Sequence, residues 1–201
     1  MEAVINGISL TLYAHDSMFS PNAPDKGTLA MLSLTEIKHG DKVLDLGCGS
    51  GIVGIYAAKL IGGENVVLTD SSEIAAEFAK KNAVLNNVPD ITVCCGNGYE
   101  NIADRDFTLI LSNPPYHTDF SVAKAFIEGG YRRLVFGGKM IMVTKRLDWY
   151  KNKLTAVFGG VKVKEADGYY IFTAEKRQGI VKPTLKEKNK LSKKLRRKYE
   201  K

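Results

Sequence analysis

Two short stretches and a single acid hold the residues whose types and spacing could do chemistry. Asp45-Leu46-Gly47-Cys48-Gly49-Ser50-Gly51 sets three alternating glycines directly after an apolar run, Lys42 to Leu46 (KVLDL), and before a helical one. Glycine tolerates positive φ and lets a ligand touch the backbone, and the helix that follows directs unpaired N–H groups and its positive end at that ligand. A small-molecule site belongs at such a turn. Gly49-x-Gly51-x-x-Gly54 in the same stretch fits the dinucleotide fingerprint, so glycine spacing alone admits both NAD and S-adenosylmethionine. Asp70, closing the run VVLTD, can accept both hydroxyls of a ribose, which serves either cofactor. The discriminating stretch is Ser112-Asn113-Pro114-Pro115-Tyr116-His117. The side-chain carbonyl of Asn113 and the backbone carbonyl of Pro114 can accept the two N–H bonds of a planar amino group, and the ring of Tyr116 can lie against the face of a base. An NH₂ held by two acceptors keeps its lone pair turned toward a methyl donor, so geometry substitutes for a strong base.

These residues need elements that bring strand ends together. Strand-like runs alternate with helical ones: Lys42 to Leu46, a helix over Ile52 to Leu60, Val66 to Thr69, and a helix over Ser72 to Asn86 with Ser71 or Ser72 as its cap. Ile91 to Cys95 and Phe107 to Ser112 follow as strands, the latter stopped by Pro114-Pro115, then a helix over Val122 to Leu134. Gly137-Gly138 is expected to turn the chain into a strand over Lys139 to Thr144. Val161 to Glu165 and Tyr169 to Ala174, parted by Ala166-Asp167-Gly168, read as an antiparallel hairpin. Asn6-Gly7 marks a smaller hairpin at the N-terminus, followed by a loop rich in Pro, Asn and Asp. Five βα units closed by a hairpin indicate an α/β fold with a Rossmann-like, doubly wound sheet of seven strands. In such a sheet the carboxyl ends of the first and fourth of these strands flank the ligand crevice, which sets Asn113 opposite the glycine turn.

Composition bounds the rest. The chain has 201 residues, 44% hydrophobic and 25% charged, enough to build a core without metals or disulfides. Its longest apolar runs fall far short of the ~20 residues that cross a bilayer, and no signal-peptide pattern opens it, so a cytoplasmic protein is expected. Cys48, Cys94 and Cys95 form no metal-binding or disulfide pattern and are expected to be small core residues. The net charge of +7 divides unevenly: residues 182–201 hold ten Lys or Arg and two acids, and the remainder is close to neutral. The organisation expected is a catalytic domain over residues 1–181, with residues 1–40 as hairpin and cap, and a basic tail over 182–201 that can neutralise phosphates.

With these stretches in order, the sequence resembles the class I S-adenosylmethionine-dependent methyltransferases, and among them the methyltransferase small domain group. DLGCGSG is similar to their cofactor loop, LTD with Asp70 to their ribose acid, GNGY (Gly96 to Tyr99) to their adenine segment and NPPYH to their substrate motif. Phe19-Ser20 and Asp25-Lys26-Gly27-Thr28 resemble a segment of the bacterial ribosomal RNA guanine-N2 methyltransferases that modify the small subunit. The likeness spans roughly Val4 to Ala174. Those enzymes carry an N-terminal sister domain for which 201 residues leave no room, so a partner or the basic tail is expected to supply docking.

The resemblance implies a role for each matching residue. Gly47, Gly49 and Gly51 would line the S-adenosylmethionine site, with Asp45 receiving the methionine amino group, Asp70 the ribose, and Asn97 and Gly98 the adenine. Asn97 stands where many relatives have Asp. Asn113, Pro114 and Tyr116 would hold the target amine as catalytic residues, Phe19, Pro115, Tyr116 and His117 would contact substrate, and Thr28 would close over the cofactor. No metal is implied. The activity expected is methyl transfer to an exocyclic amine of RNA, first guanine N2 of ribosomal RNA. Adenine N6 in RNA or DNA, glutamine N5 in protein and a noncatalytic or dehydrogenase-like dinucleotide binder are the alternatives.

Overall fold

A computed structural model describes residues 1–16, 20, 22–115 and 120–178. Phe19, Tyr116, His117 and the tail over 182–201 lie outside the described residues. Two strands open the chain, β1 (Glu2–Ile5) and β2 (Ile8–Thr11), paired antiparallel through a two-residue turn in which Asn6 and Gly7 both take positive φ. That is the backbone such hairpin turns require, and Asn-Gly adopts it with little strain.

The main sheet has seven strands. They are β3 (Val43–Leu46), β4 (Val66–Asp70), β5 (Thr92–Cys95), β6 (Phe107–Ser112), β7 (Leu134–Thr144), β8 (Lys162–Ala166) and β9 (Tyr169–Glu175), in spatial order β5-β4-β3-β6-β7-β9-β8. The first five of that order are parallel; β9 runs antiparallel between β7 and β8. Helices α1 (Lys26–Ser33), α2 (Ile52–Ile61) and α3 (Glu73–Leu85) cover one face, and α4 (Phe120–Arg133) and α5 (Leu147–Phe158) the other. Strand order reverses between β3 and β6, and at such a point the loops diverge and leave a crevice beyond the carboxyl ends of the strands. Ser112 locks that junction, its buried hydroxyl donating to the Leu46 carbonyl at 2.7 Å. No helix among the described residues is long and apolar enough to cross a membrane.

Four local expectations are corrected. Residues 26–33, assigned no element, form α1, because Asp25 caps it by accepting from the Thr28 N–H at 2.9 Å and its apolar positions are buried. Residues 147–158, assigned no element, form α5, held by packing of Tyr150, Leu154 and Phe158 without a side-chain cap. No helix joins β5 to β6. Gly137-Gly138 does not turn the chain but sits inside β7 as an irregularity: Gly137 at φ +84° absorbs the extra residues, while its N–H donates to the Lys176 carbonyl at 2.7 Å and keeps the strand in the sheet. Of the cysteines, only Cys48 is buried; Cys94 is half-buried and Cys95 exposed.

Candidate active site

The glycine turn is shaped by β4 rather than by its own residues. The N–H groups of Gly47 and Cys48 both donate to the Thr69 carbonyl, at 2.9 and 3.0 Å, which draws the loop across the end of the neighbouring strand. Gly49 follows at φ +53°, and a Cβ placed there would meet nothing within 4 Å, so its backbone stands open to a ligand. Its N–H donates to Asp70 Oδ2 at 2.9 Å, while Asp70 Oδ1 accepts from the Ser72 N–H at 2.9 Å. The ribose-acid candidate is thus fixed by two backbone amides, each occupying one lone pair of an oxygen that has a second to offer. Gly51 departs from its expected place. Its Cα faces Leu68, Ala79 and Ile55, where a Cβ would come within 3.1–3.3 Å, so it serves the entry to α2 rather than the site's wall.

Among the described residues Asp45 is the one charged side chain that is buried. It lies on β3, between β4 and β6 in the sheet, 2% exposed, its Oδ2 accepting from the Gly54 N–H in the first turn of α2 at 2.9 Å. Gly54 can come this close because it has no side chain; a Cβ there would lie 2.3 Å from Leu68. Burial pushes the Asp45 carboxyl up to about 7, helped by the nearby Asp70 and opposed by the Gly54 amide.

Across the crevice, Asn113 follows β6. Its side-chain NH₂ donates to Asp25 Oδ2 at 2.8 Å and to Thr28 Oγ1 at 2.9 Å, both from the N-terminus of α1. A carboxylate only accepts, so Asp25 dictates which end of the amide is nitrogen and turns Oδ1 the other way. Thr28, expected over the cofactor, does border the cavity, but its hydroxyl is engaged with Asn113.

These residues share one cavity of about 420 Å³. Asp45, Gly47, Gly49, Asp70, Asn97, Gly98, Thr28, Asn113, Pro114 and Pro115 all border it, as does Asp25. The sequence had marked Asp25 only as part of a motif, without a role. Phe126 of α4 was missed altogether: its ring lies 3.5–3.7 Å from where Cβ atoms of Gly47 and Gly98 would stand, so it forms the wall between the glycine loop and the adenine-segment candidates. Only its helical register, shared with ordinary core residues, signalled it. Among the described residues the lining includes three Asp side chains and no Lys, Arg or His. Such a lining repels a pyrophosphate and suits a ligand that carries positive charge, so the residues present fit S-adenosylmethionine, with its sulfonium and ammonium, better than NAD.

A doubly wound sheet, a glycine turn at its switch point and an amide at the facing strand end define an α/β protein with a candidate small-molecule site at the switch point. Residues 9–173 match the Methyltransferase small domain family, and the chain belongs to it. It is 33% identical over 178 residues to ribosomal RNA large subunit methyltransferase G of Alteromonas mediterranea, covering 82% of this chain and 43% of that protein. Ribosomal RNA small subunit methyltransferase C of Serratia proteamaculans is 32% identical over 157 residues, 76% of this chain and 45% of the relative. Among solved structures, a T. thermophilus 16S rRNA N2 methyltransferase in complex with AdoMet and guanosine superposes with a TM-score of 0.80 at 25% identity, over 88% of this chain and 50% of that one. The chain spans about half the length of the relatives it matches.

Proposed function

We propose that the chain is an S-adenosylmethionine-dependent methyltransferase acting on the exocyclic N2 of guanine in ribosomal RNA. The observation that carries this reading is the clamp on Asn113: with Asp25 and Thr28 taking its two N–H bonds, the group this side chain presents is a carbonyl, the acceptor a planar amine needs. The relatives named above, a guanosine complex among them, supply the base and the RNA class.

In this reading Asp70 holds ribose hydroxyls, Asp45 receives the amino group, Asn97 and Gly98 meet the adenine, and Asn113 with the Pro114 carbonyl holds the target NH₂. The cofactor, when bound, supplies a methyl group already electrophilic on sulfur. The protein therefore orients the nitrogen lone pair and accepts hydrogen bonds from N–H groups that grow more acidic as the bond to carbon forms, a stabilisation realised in the transition state. Tyr116 would support the face of the base, with Phe19, Pro115 and His117 around it, and the domain would comprise residues 1–181. Incubating the protein with S-adenosylmethionine and ribosomal RNA lacking the modification, then digesting to nucleosides for mass spectrometry, is expected to yield N2-methylguanosine. Methyl-adenosine, or methylated protein alone, would overturn the reading.

A further inference from the structure

A second cavity, of about 550 Å³, lies at the opposite end of the sheet on the α1 face, where β7, β9 and β8 run on beyond the cover of that helix. Ile141 and Ile171 form part of its floor, and Lys139, Lys162 and Lys164 project from the same sheet face, as their register with Glu175, Thr173 and Ile171 requires. Lys38 lies on the far bank, paired with Glu36 at 3.2 Å. Asp41 is committed to structure: its Oδ1 accepts from the Thr108 hydroxyl at 2.7 Å and its Oδ2 from the Lys38 N–H at 2.8 Å. Glu175 stands across the ladder from Lys139. Among the described residues none of Lys139, Lys162 and Lys164 has an ion-pair partner, and all three are exposed.

Three unpaired lysines over one concave face repel one another, a cost that a polyanion relieves. The chain's own path adds to this. Beyond β9 the Lys176 N–H donates to the Gly138 carbonyl at 2.8 Å, and Gly138 borders this cavity, so the last described residues of the chain leave β9 at its rim. Lys139 pairs with Leu109, four residues before Asn113, which sets the groove about 13 Å of strand below the candidate active site. A polynucleotide with one base in that site can reach it within a few nucleotides.

We infer that this groove is a phosphate-backbone site for RNA, holding the strand that flanks the target. The inference rests on the RNA reading above for its ligand. It is tested in the full chain by fluorescence anisotropy with a labelled RNA hairpin over a salt series, comparing wild type with Lys139→Gln/Lys162→Gln/Lys164→Gln and confirming equal melting temperatures. Neutralising three phosphate contacts is expected to weaken binding at least tenfold at low salt and to flatten the slope of log affinity against log salt by about 2 to 3. Single Lys162→Gln and Lys164→Gln variants should each flatten it by about 1, which keeps the question answerable if the triple variant folds poorly. An unchanged slope, or a wild type that does not bind the hairpin, overturns the groove. The two readings fail separately: methylation of guanine with a slope indifferent to these lysines removes the groove alone, and a lysine-dependent slope without guanine methylation removes the assignment of the site alone.

Discussion

Asp25 accepts the side-chain amide of Asn113 at 2.8 Å, although 88 residues separate the two. The same carboxylate oxygen caps α1 through the Thr28 N–H at 2.9 Å, so one atom sets both the start of a helix and the orientation of the amide that faces the site. Asp25 is in this account a positioning residue, acting through Asn113. Asp25→Ala removes a hydrogen bond to a charged group, of about 1.5 to 3 kcal/mol, and frees the amide to rotate. The turnover number is expected to fall roughly ten- to a hundredfold, with S-adenosylmethionine affinity measured by calorimetry nearly unchanged. A loss of affinity with turnover preserved would place Asp25 in the cofactor site instead.

Asp45 carries a pH dependence whose sign follows from its position. Burial raises its carboxyl from the ordinary value near 3.8 to about 7, so between those values the native protein holds a proton that the unfolded chain has released. This group's contribution to stability is greatest below about pH 4, declines as pH rises toward 7 and is constant above it. Asp45→Asn keeps an acceptor for the Gly54 amide without the titration. The ligand-free variant is expected to gain melting temperature over wild type increasingly from pH 5 to about pH 7 and by a level margin above it, while binding S-adenosylmethionine more weakly at pH 8. Parallel pH profiles for the two proteins would show that Asp45 does not titrate in this range.

Asp70 is held by Gly49 and Ser72 with its carboxylate on the cavity. Asp70→Ala is expected to weaken S-adenosylmethionine roughly ten- to a hundredfold by calorimetry, the loss of a hydrogen bond to a charged acceptor. Affinity equal to wild type would remove Asp70 from the cofactor's contacts.

Gly54 couples packing to the site. A methyl group there would lie 2.3 Å from the buried Leu68 side chain, so Gly54→Ala must displace that side chain or shift α2 against the sheet. Overpacking of this kind costs about 1 to 3 kcal/mol, and the melting temperature should fall by several degrees in calorimetry. A variant as stable as wild type would mean that helix and strand have slack at this contact.

The parts of the fold legible in the sequence are those governed by neighbours along the chain. Asn6-Gly7 and Asp167-Gly168 supply positive φ where two-residue turns need it, and buried runs such as FTLILS mark β6 directly. Helix α1 was not legible, because KGTLAMLS includes a glycine and follows a Pro- and Asp-rich stretch; what holds it is the Asp25 cap and the close seat of Gly27 on the Tyr169 ring. The site divides the same way. The glycine turn and NPPY announce themselves by composition, whereas the Asp25–Asn113 pair and Phe126 enter only through tertiary folding, which no local pattern encodes.

The most direct test of the account is the rate of a single methyl transfer by Asn113→Ala. With enzyme and S-adenosylmethionine in excess over an RNA that the wild type methylates, loss of one preorganised acceptor is expected to slow the transfer on the order of a hundred- to a thousandfold, while cofactor affinity changes little. Transfer at nearly the wild-type rate, with cofactor binding intact, would contradict it and reduce Asn113 to the residue that ends a strand.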